Sequence, residues 1–174
     1  SIQEAQAMGF TFSSYEDGLQ IDSFENLQFK SEINVPEQIG DFKVLKIGTG
    51  VFKNQTNLKK ITLPSTVTEI GESAFSDCTN LSEIVAPGEM VEIGNDAFDG
   101  CSILTLYVGE TLKPYTWSAN SGVKHLYYRD ESFIADKVFT DYKTAAYLAS
   151  ATQTADVFVY GLSDLVEIPK SSCN

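Results

Sequence analysis

The sequence predicts an α+β, mostly β protein: a right-handed solenoid of about four coils, 23 residues long where regular, between irregular ends. Three observations carry this reading. The phrase Ile-Gly-x-x-Val/Ala-Phe stands at residues 47–52, 70–75 and 93–98, a spacing of 23 residues. Three residues after each Phe comes Gln55, Cys78 or Cys101, and three further on Leu58, Leu81 or Leu104. Another three residues bring Ile61, Ile84 and Tyr107. Self-similarity at a period of this length marks an array in which each unit buries its apolar edge only against its neighbours.

The N-terminal stretch, residues 1–32, reads as a cap. Residues 1–8 carry Glu4, Ala5 and Ala7 and favour a short helix. Residues 10–15 alternate as a strand, Glu16-Asp17-Gly18 is a turn signal, and Leu19-Gln20-Ile21 returns as the second arm of a hairpin. Glu16 and Asp17 have no further ligand spacing behind them, so the turn is not read as a calcium site.

The solenoid is assigned to residues 33–128. Ile33-x-Val35-Pro36 repeats the phase of Ile61-x-Leu63-Pro64, but at an interval of 28, one period plus five. The extra residues around Ile39-Gly40-Asp41 are expected to bulge as a longer loop in an irregular first coil. In the regular coils, Leu58-x-x-Ile61-x-Leu63 ends as a short strand, with Ile61 and Leu63 inward and Lys60 and Thr62 outward. Pro64 has no N–H to donate and stops the ladder. Gly71 and its equivalents mark a tight turn or a close approach of backbones. Phe52, Phe75 and Phe98 share one phase, so their rings are expected to stack in the interior. Every one of these positions reads first as core packing.

The text from Leu63 to Leu81, Leu-Pro-Ser-x-Val-x-x-Ile-Gly-x-x-Ala-Phe-x-x-Cys-x-x-Leu, resembles the BspA-like leucine-rich repeats. These occur largely on bacterial surface and secreted proteins and on some protist surfaces. The resemblance departs from pattern at Gln55, where the family usually has Cys, and at Gly109-Glu110, where a Pro is expected. It implies a leucine-rich-repeat solenoid and an extracellular or cell-surface interaction scaffold, and it supplies no shared catalytic residues.

After Leu104 the repeat decays. Leu106-Tyr107-Val108 keeps a strand, and residues 123–128 read as one more, bringing Leu126 inward. The last segment, residues 129–174, is read as a C-terminal cap, because an uncovered solenoid end exposes strand edges and core side chains. Within it, residues 139–151 have helical propensity, and 156–160 and 165–168 read as strands.

Composition narrows the function. The chain has 174 residues, 43% of them apolar and 21% charged, which fits an ordinary folded domain. A formal charge of −12 repels phosphate backbones and anionic lipid heads, so nucleic acid and membrane surfaces are not expected partners. No stretch is long and apolar enough to insert into a membrane. Ser1 in place of Met suggests a mature or trimmed chain.

Three cysteines are too few for a disulfide framework. Cys78 and Cys101 fall in adjacent coils, about 5 Å apart at strand spacing. Parallel inward side chains seldom have disulfide geometry, so both are read as buried free thiols. His125 is the single histidine, no Cys/His spacing suggests zinc, and it reads as a surface strand residue. The sequence carries no nucleophile motif and no phosphate loop. Glu69, Glu72, Glu83, Glu89 and Glu92 fall at solvent phases rather than in a catalytic pair. The expectation is therefore a non-enzyme with no cofactor and no metal, acting as a monomer. Its candidate binding face is Lys60, Thr62, Glu83, Val85, Leu106 and Val108, with Trp117 nearby. The leading expectation is a protein partner, with an adhesive role in view. The alternative is a glycan held by an aromatic cluster of Tyr107, Tyr115, Trp117, Tyr127 and Tyr128.

Overall fold

A computed structural model describes residues 1–102, 104–109, 120–129, 156–160 and 165–168. The chain begins with helix α1 (Ile2–Ala7), closed by a capping box. The Ser1 hydroxyl accepts from the Glu4 N–H at 3.2 Å, and the Glu4 carboxylate accepts from the Ser1 ammonium at 2.8 Å. Ala5 packs into the core beneath it. Strands β1 (Phe10–Tyr15) and β2 (Gly18–Phe24) follow as the expected antiparallel hairpin, joined at Glu16-Asp17 with Glu16 at φ 50°.

The remaining strands alternate between two sheets. In order they are β3 (Glu32–Asn34), β4 (Gln38–Ile39), β5 (Phe42–Ile47), β6 (Lys60–Thr62), β7 (Glu69–Ile70), β8 (Glu83–Ala86), β9 (Glu92–Ile93), β10 (Leu104–Val108), β11 (Val123–Arg129), β12 (Asp156–Tyr160) and β13 (Leu165–Ile168). One sheet runs β1-β2-β5-β7-β9, with β4 attached to β5, and the other runs β13-β12-β11-β10-β8-β6-β3. The pairings between coils are parallel, as a solenoid requires. Antiparallel pairs occur at β1–β2, β4–β5 and β12–β13. Each regular coil thus gives one short strand to each sheet. Strand β2 lies beside β5 in the first sheet, so the hairpin is built into the solenoid wall.

The core is a column of stacked equivalents. Ile61 sits between Ile33 and Ile84 in register, and Ile84 pairs on to Leu106. The rings of Phe52 and Phe75 lie 5.2 Å apart and nearly parallel, and those of Phe75 and Phe98 lie 5.9 Å apart. The column extends further than the repeat phrase, because Phe24 packs on Phe52 at 5.3 Å and Phe10 on Phe24 at 4.8 Å, with the rings tilted by 47° and 37°. The repeated glycines stand where coils touch. A Cβ on Gly71 falls 2.6 Å from the Gly48 carbonyl carbon, and one on Gly94 falls 2.3 Å from the Glu72 nitrogen. No side chain larger than hydrogen fits there.

A third wall joins the two sheets. Gly50, Ser73 and Asp96 adopt left-handed φ of 65°, 54° and 56°, and Asn54, Asp77 and Gly100 adopt 63°, 58° and 74°. Between these turns the backbone still bonds coil to coil: Phe52 N–H donates to Ala74 C=O and Phe75 N–H to Ala97 C=O, both at 2.8 Å. Asn and Asp tolerate this conformation better than other side chains, which accounts for three of the six positions.

The irregular first coil differs from expectation. The extra residues are not a bulging loop: β4 folds back on β5 as a small hairpin around Gly40-Asp41, with Gly40 at φ 60°. Ile39 is fully buried, so the insertion adds to the core. The strands expected at 123–128, 156–160 and 165–168 are observed as β11, β12 and β13. The helix expected at 139–151 lies outside the described residues.

Candidate binding face

The outer surface of the larger sheet is assembled by register. Glu32, Lys60, Glu83, Thr105 and His125 occupy one line across five strands. Asn34, Thr62, Val85, Tyr107 and Tyr127 occupy the next. From Lys60 and Thr62 onward every member of the two lines is half-buried, as side chains in a ladder shield one another. Lys60 and Glu83 form an ion pair at 3.4 Å. The rings of Tyr107 and Tyr127 stack at 4.7 Å. The surface therefore grades from polar at β3 and β6 to aromatic at β10 and β11.

The structure brings Lys60, Thr62, Glu83 and Val85 together as expected and corrects two residues. Leu106 and Val108 face inward, 0% and 1% exposed, and Thr105 and Tyr107 take the outer positions. Counting 23 residues from Ile84 lands on Tyr107, yet Ile84 pairs with Leu106, at an interval of 22. Two residues separate Leu81 from Ile84, whereas one separates Leu104 from Leu106. The corner is one residue shorter, and in a strand a one-residue slip exchanges the faces. The apolar alternation of Leu104, Leu106 and Val108 was the signal that contradicted the count, and their burial follows it. Trp117 and Tyr115 lie outside the described residues, as does the side chain of Tyr128.

The smaller sheet carries a different outer face. The Tyr15 hydroxyl donates to both Glu69 carboxylate oxygens at 2.9 Å, and Lys46 lies over the Tyr15 ring at 4.7 Å while approaching Glu69 at 3.6 Å. The bond to Glu69 pushes the Tyr15 hydroxyl up to about 12, with burial adding to it. Of the five acids assigned to solvent phases, Glu72, Glu89 and Glu92 are exposed, while Glu69 and Glu83 are half-buried and ion-paired. A shallow groove of about 260 Å³ runs beside this cluster, lined by Lys46, Glu69, Glu72, Glu92 and the Gly71 and Gly94 backbones.

Inside, the Gln55, Cys78, Cys101 series has a shared task that its mixed chemistry concealed. Cys78 Sγ donates to the Phe52 carbonyl at 2.9 Å and Cys101 Sγ to the Phe75 carbonyl at 3.2 Å. Gln55 Nε2 reaches the Phe24 carbonyl at 3.3 Å, so the departure from Cys preserves the bond to the preceding coil. Both thiols are free and buried, and burial pushes Cys78 up to about 11 and Cys101 up to about 12. Among the described residues no group of three or more His, Cys, Asp or Glu is placed to hold a metal ion. Among them, too, no helix is long and apolar enough to cross a membrane.

The family profile described as "BspA type Leucine rich repeat region (6 copies)" matches residues 9–127. Among solved structures, the fold is similar to that of a leucine rich cell surface protein from Faecalibacterium prausnitzii, with a TM-score of 0.52 and 23% identity over 72% of this chain. The chain spans 44% of that protein's length. A leucine-rich repeat protein from Bacteroides capillosus gives a TM-score of 0.51 at 22% identity, covering 68% of this chain and 93% of its own. The leucine-rich repeat protein of T. pallidum gives 0.51 at 22% identity, covering 73% of this chain and 75% of its own. A search of curated protein sequences gave no significant match.

Proposed function

The chain belongs to the BspA-type leucine-rich repeat family, and from that premise we propose a non-catalytic, extracellular or cell-surface module that binds a protein partner on the outer face of its larger sheet. The observation that carries this is the pair of ladders on that face, where Thr62, Val85, Tyr107 and Tyr127 form a graded polar-to-aromatic line beside Lys60, Glu83 and His125. Parallel register holds these side chains on a rigid wall, so their ordering cost is met before any partner arrives. Aromatic residues next to charged ones are what protein interfaces favour. An adhesive role is the natural use of such a face on a cell surface.

The aromatic pair also bears on the glycan alternative. Tyr107 and Tyr127 stack along the ladder with 21° between their planes, so each ring turns a face to the other. Sugars stack on open ring faces, which makes a protein partner the better fit here.

The test is binding to immobilised extracellular-matrix and cell-surface proteins, run beside a glycan array. Val85→Arg on the larger sheet should weaken protein binding by about tenfold, or ~1.4 kcal/mol, while Glu72→Ala, in the turn after β7, leaves it unchanged. Binding confined to glycans and lost in Trp117→Ala would establish the alternative.

A further inference from the structure

The two ends of the sheets are closed differently. The smaller sheet ends at β1, a six-residue antiparallel arm, and the larger sheet ends at β13 on one side, again antiparallel. Its other end is β3, three residues long, and among the described residues no strand pairs with its outer edge. Ser31 C=O accepts from the Lys59 and Lys60 N–H groups at 2.7 and 3.2 Å, and Val35 N–H donates to the Thr62 C=O of β6 at 2.9 Å. By alternation the main-chain groups of Glu32 and Asn34 therefore point away from the sheet. Both residues are exposed.

Beside this edge stands an unusual loop. Phe29 is 81% exposed and holds a left-handed φ of 51°, a conformation a bulky side chain adopts only under constraint. The constraint is visible. Asn26 Nδ2 donates to the Lys30 carbonyl at 2.8 Å, and Asn26 Oδ1 accepts from the Lys30 N–H at 3.0 Å. The clasp presents Phe29, with Leu27 also half in solvent at 51%, immediately before β3. Among the described residues these are two of the four large hydrophobic side chains left exposed.

We propose that β3 is a self-association edge, on which two copies of this chain pair their Glu32–Asn34 strands antiparallel about a two-fold axis at Ile33. The segment Glu-Ile-Asn is complementary to itself in that arrangement. Glu32 of one copy opposes Asn34 of the other, and these are the residues whose N–H and C=O groups point outward, so each pair exchanges two hydrogen bonds. On the outer face the Glu32 carboxylate meets an Asn34 amide that donates to it, and no like charges are opposed. The same register sets the Phe29 loop of one copy alongside Pro36 and Glu37 of the other, covering a Phe29 ring that is otherwise wet. The result is one continuous sheet across both copies, with the Asn34-Thr62-Val85 line running outward from the axis in each direction. A formal charge of −12 per chain opposes this contact, and salt should strengthen it by screening.

Sedimentation velocity across roughly 10 µM to 1 mM, the range of small interfaces, should show the mass rise from 19.1 kDa toward twice that value. The rise should be steeper at high salt. Asn34→Asp places a carboxylate opposite Glu32 and should abolish the rise without moving the urea midpoint. Adding Glu32→Gln to that variant restores a carboxylate–amide pair and should restore association. Hydrogen exchange should show the Glu32 and Asn34 amides gaining protection with concentration. A chain that stays monomeric throughout overturns the proposal, and so does association indifferent to Asn34→Asp or not rescued by the double change. Val85 lies two strands away from the edge, so failure here leaves the binding face to be judged on its own test.

Discussion

Phe75 lies between two nearly parallel rings with no exposed surface. Its neighbours are fixed by strand register above and below, so they cannot collapse into a vacated space. Phe75→Ala should therefore cost about 3–5 kcal/mol, a large part of the roughly 5–15 kcal/mol of a domain this size. Thr62→Ala on the outer face should stay within about 0.5 kcal/mol. Urea titration of both variants checks the pair. The two buried thiols give a pH prediction of known sign. Burial raises each above its ordinary 9.0, to about 11 and about 12, so the folded state holds these protons more tightly than the unfolded one. Their contribution is fully present below pH 9.0 and is lost as pH climbs through the folded values. The urea midpoint of the wild type should fall between pH 9 and 11 more steeply than that of a Cys78→Ala, Cys101→Ala variant. At neutral pH a thiol reagent should react with the native pair slowly and with the unfolded chain readily.

At the level of the strand, register decides which face a residue serves. Leu106→Ala should cost about 2–5 kcal/mol, while Thr105→Ala, one residue away, should stay within about 0.5 kcal/mol. Equal effects measured by thermal or urea unfolding would undo the assignment of the shortened corner. Most of the fold was legible because its information is local and repeated. The Ile-Gly-x-x-Val/Ala-Phe phrase marked the turn, the close approach and the core ring three times over. The outward positions of the first two coils followed from the same phase. Leu106 and Val108 depart from the counted phase because a period counted in residues does not register a one-residue deletion, whereas alternation within the strand does. The β4–β5 hairpin was missed because its two short arms carry no alternation long enough to read, and Gly40 was the sole turn signal. Phe24 and Phe10 lie outside the repeat phrase, so nothing in the count joined them to the ring column. The ion pairs of Glu69 and Glu83 are hidden for a similar reason: phase shows which way a carboxylate points, but not whether a lysine on the next strand meets it.

Across the whole molecule, the ring column from Phe10 to Phe98 ties the N-terminal hairpin to the regular coils. Phe24→Ala should therefore lower the single unfolding transition of the entire chain, by about 3–5 kcal/mol, and should not produce a separate early melting of the hairpin. Calorimetry distinguishes the two outcomes. The bonds that Gln55, Cys78 and Cys101 make to the carbonyl of the preceding Phe have a further consequence, in the domain of genetics. Each bond addresses the previous unit by relative position, so the units are interchangeable text. Excising residues 71–93, one whole period, joins Ile70 to Gly94 and rebuilds the same phrase across the junction. Cys101 then finds the Phe52 carbonyl where it formerly found that of Phe75, and Phe98 finds the ring of Phe52. Unequal recombination within such a gene would leave the same phrase intact at the junction, so the length of the two sheets can change in a single event.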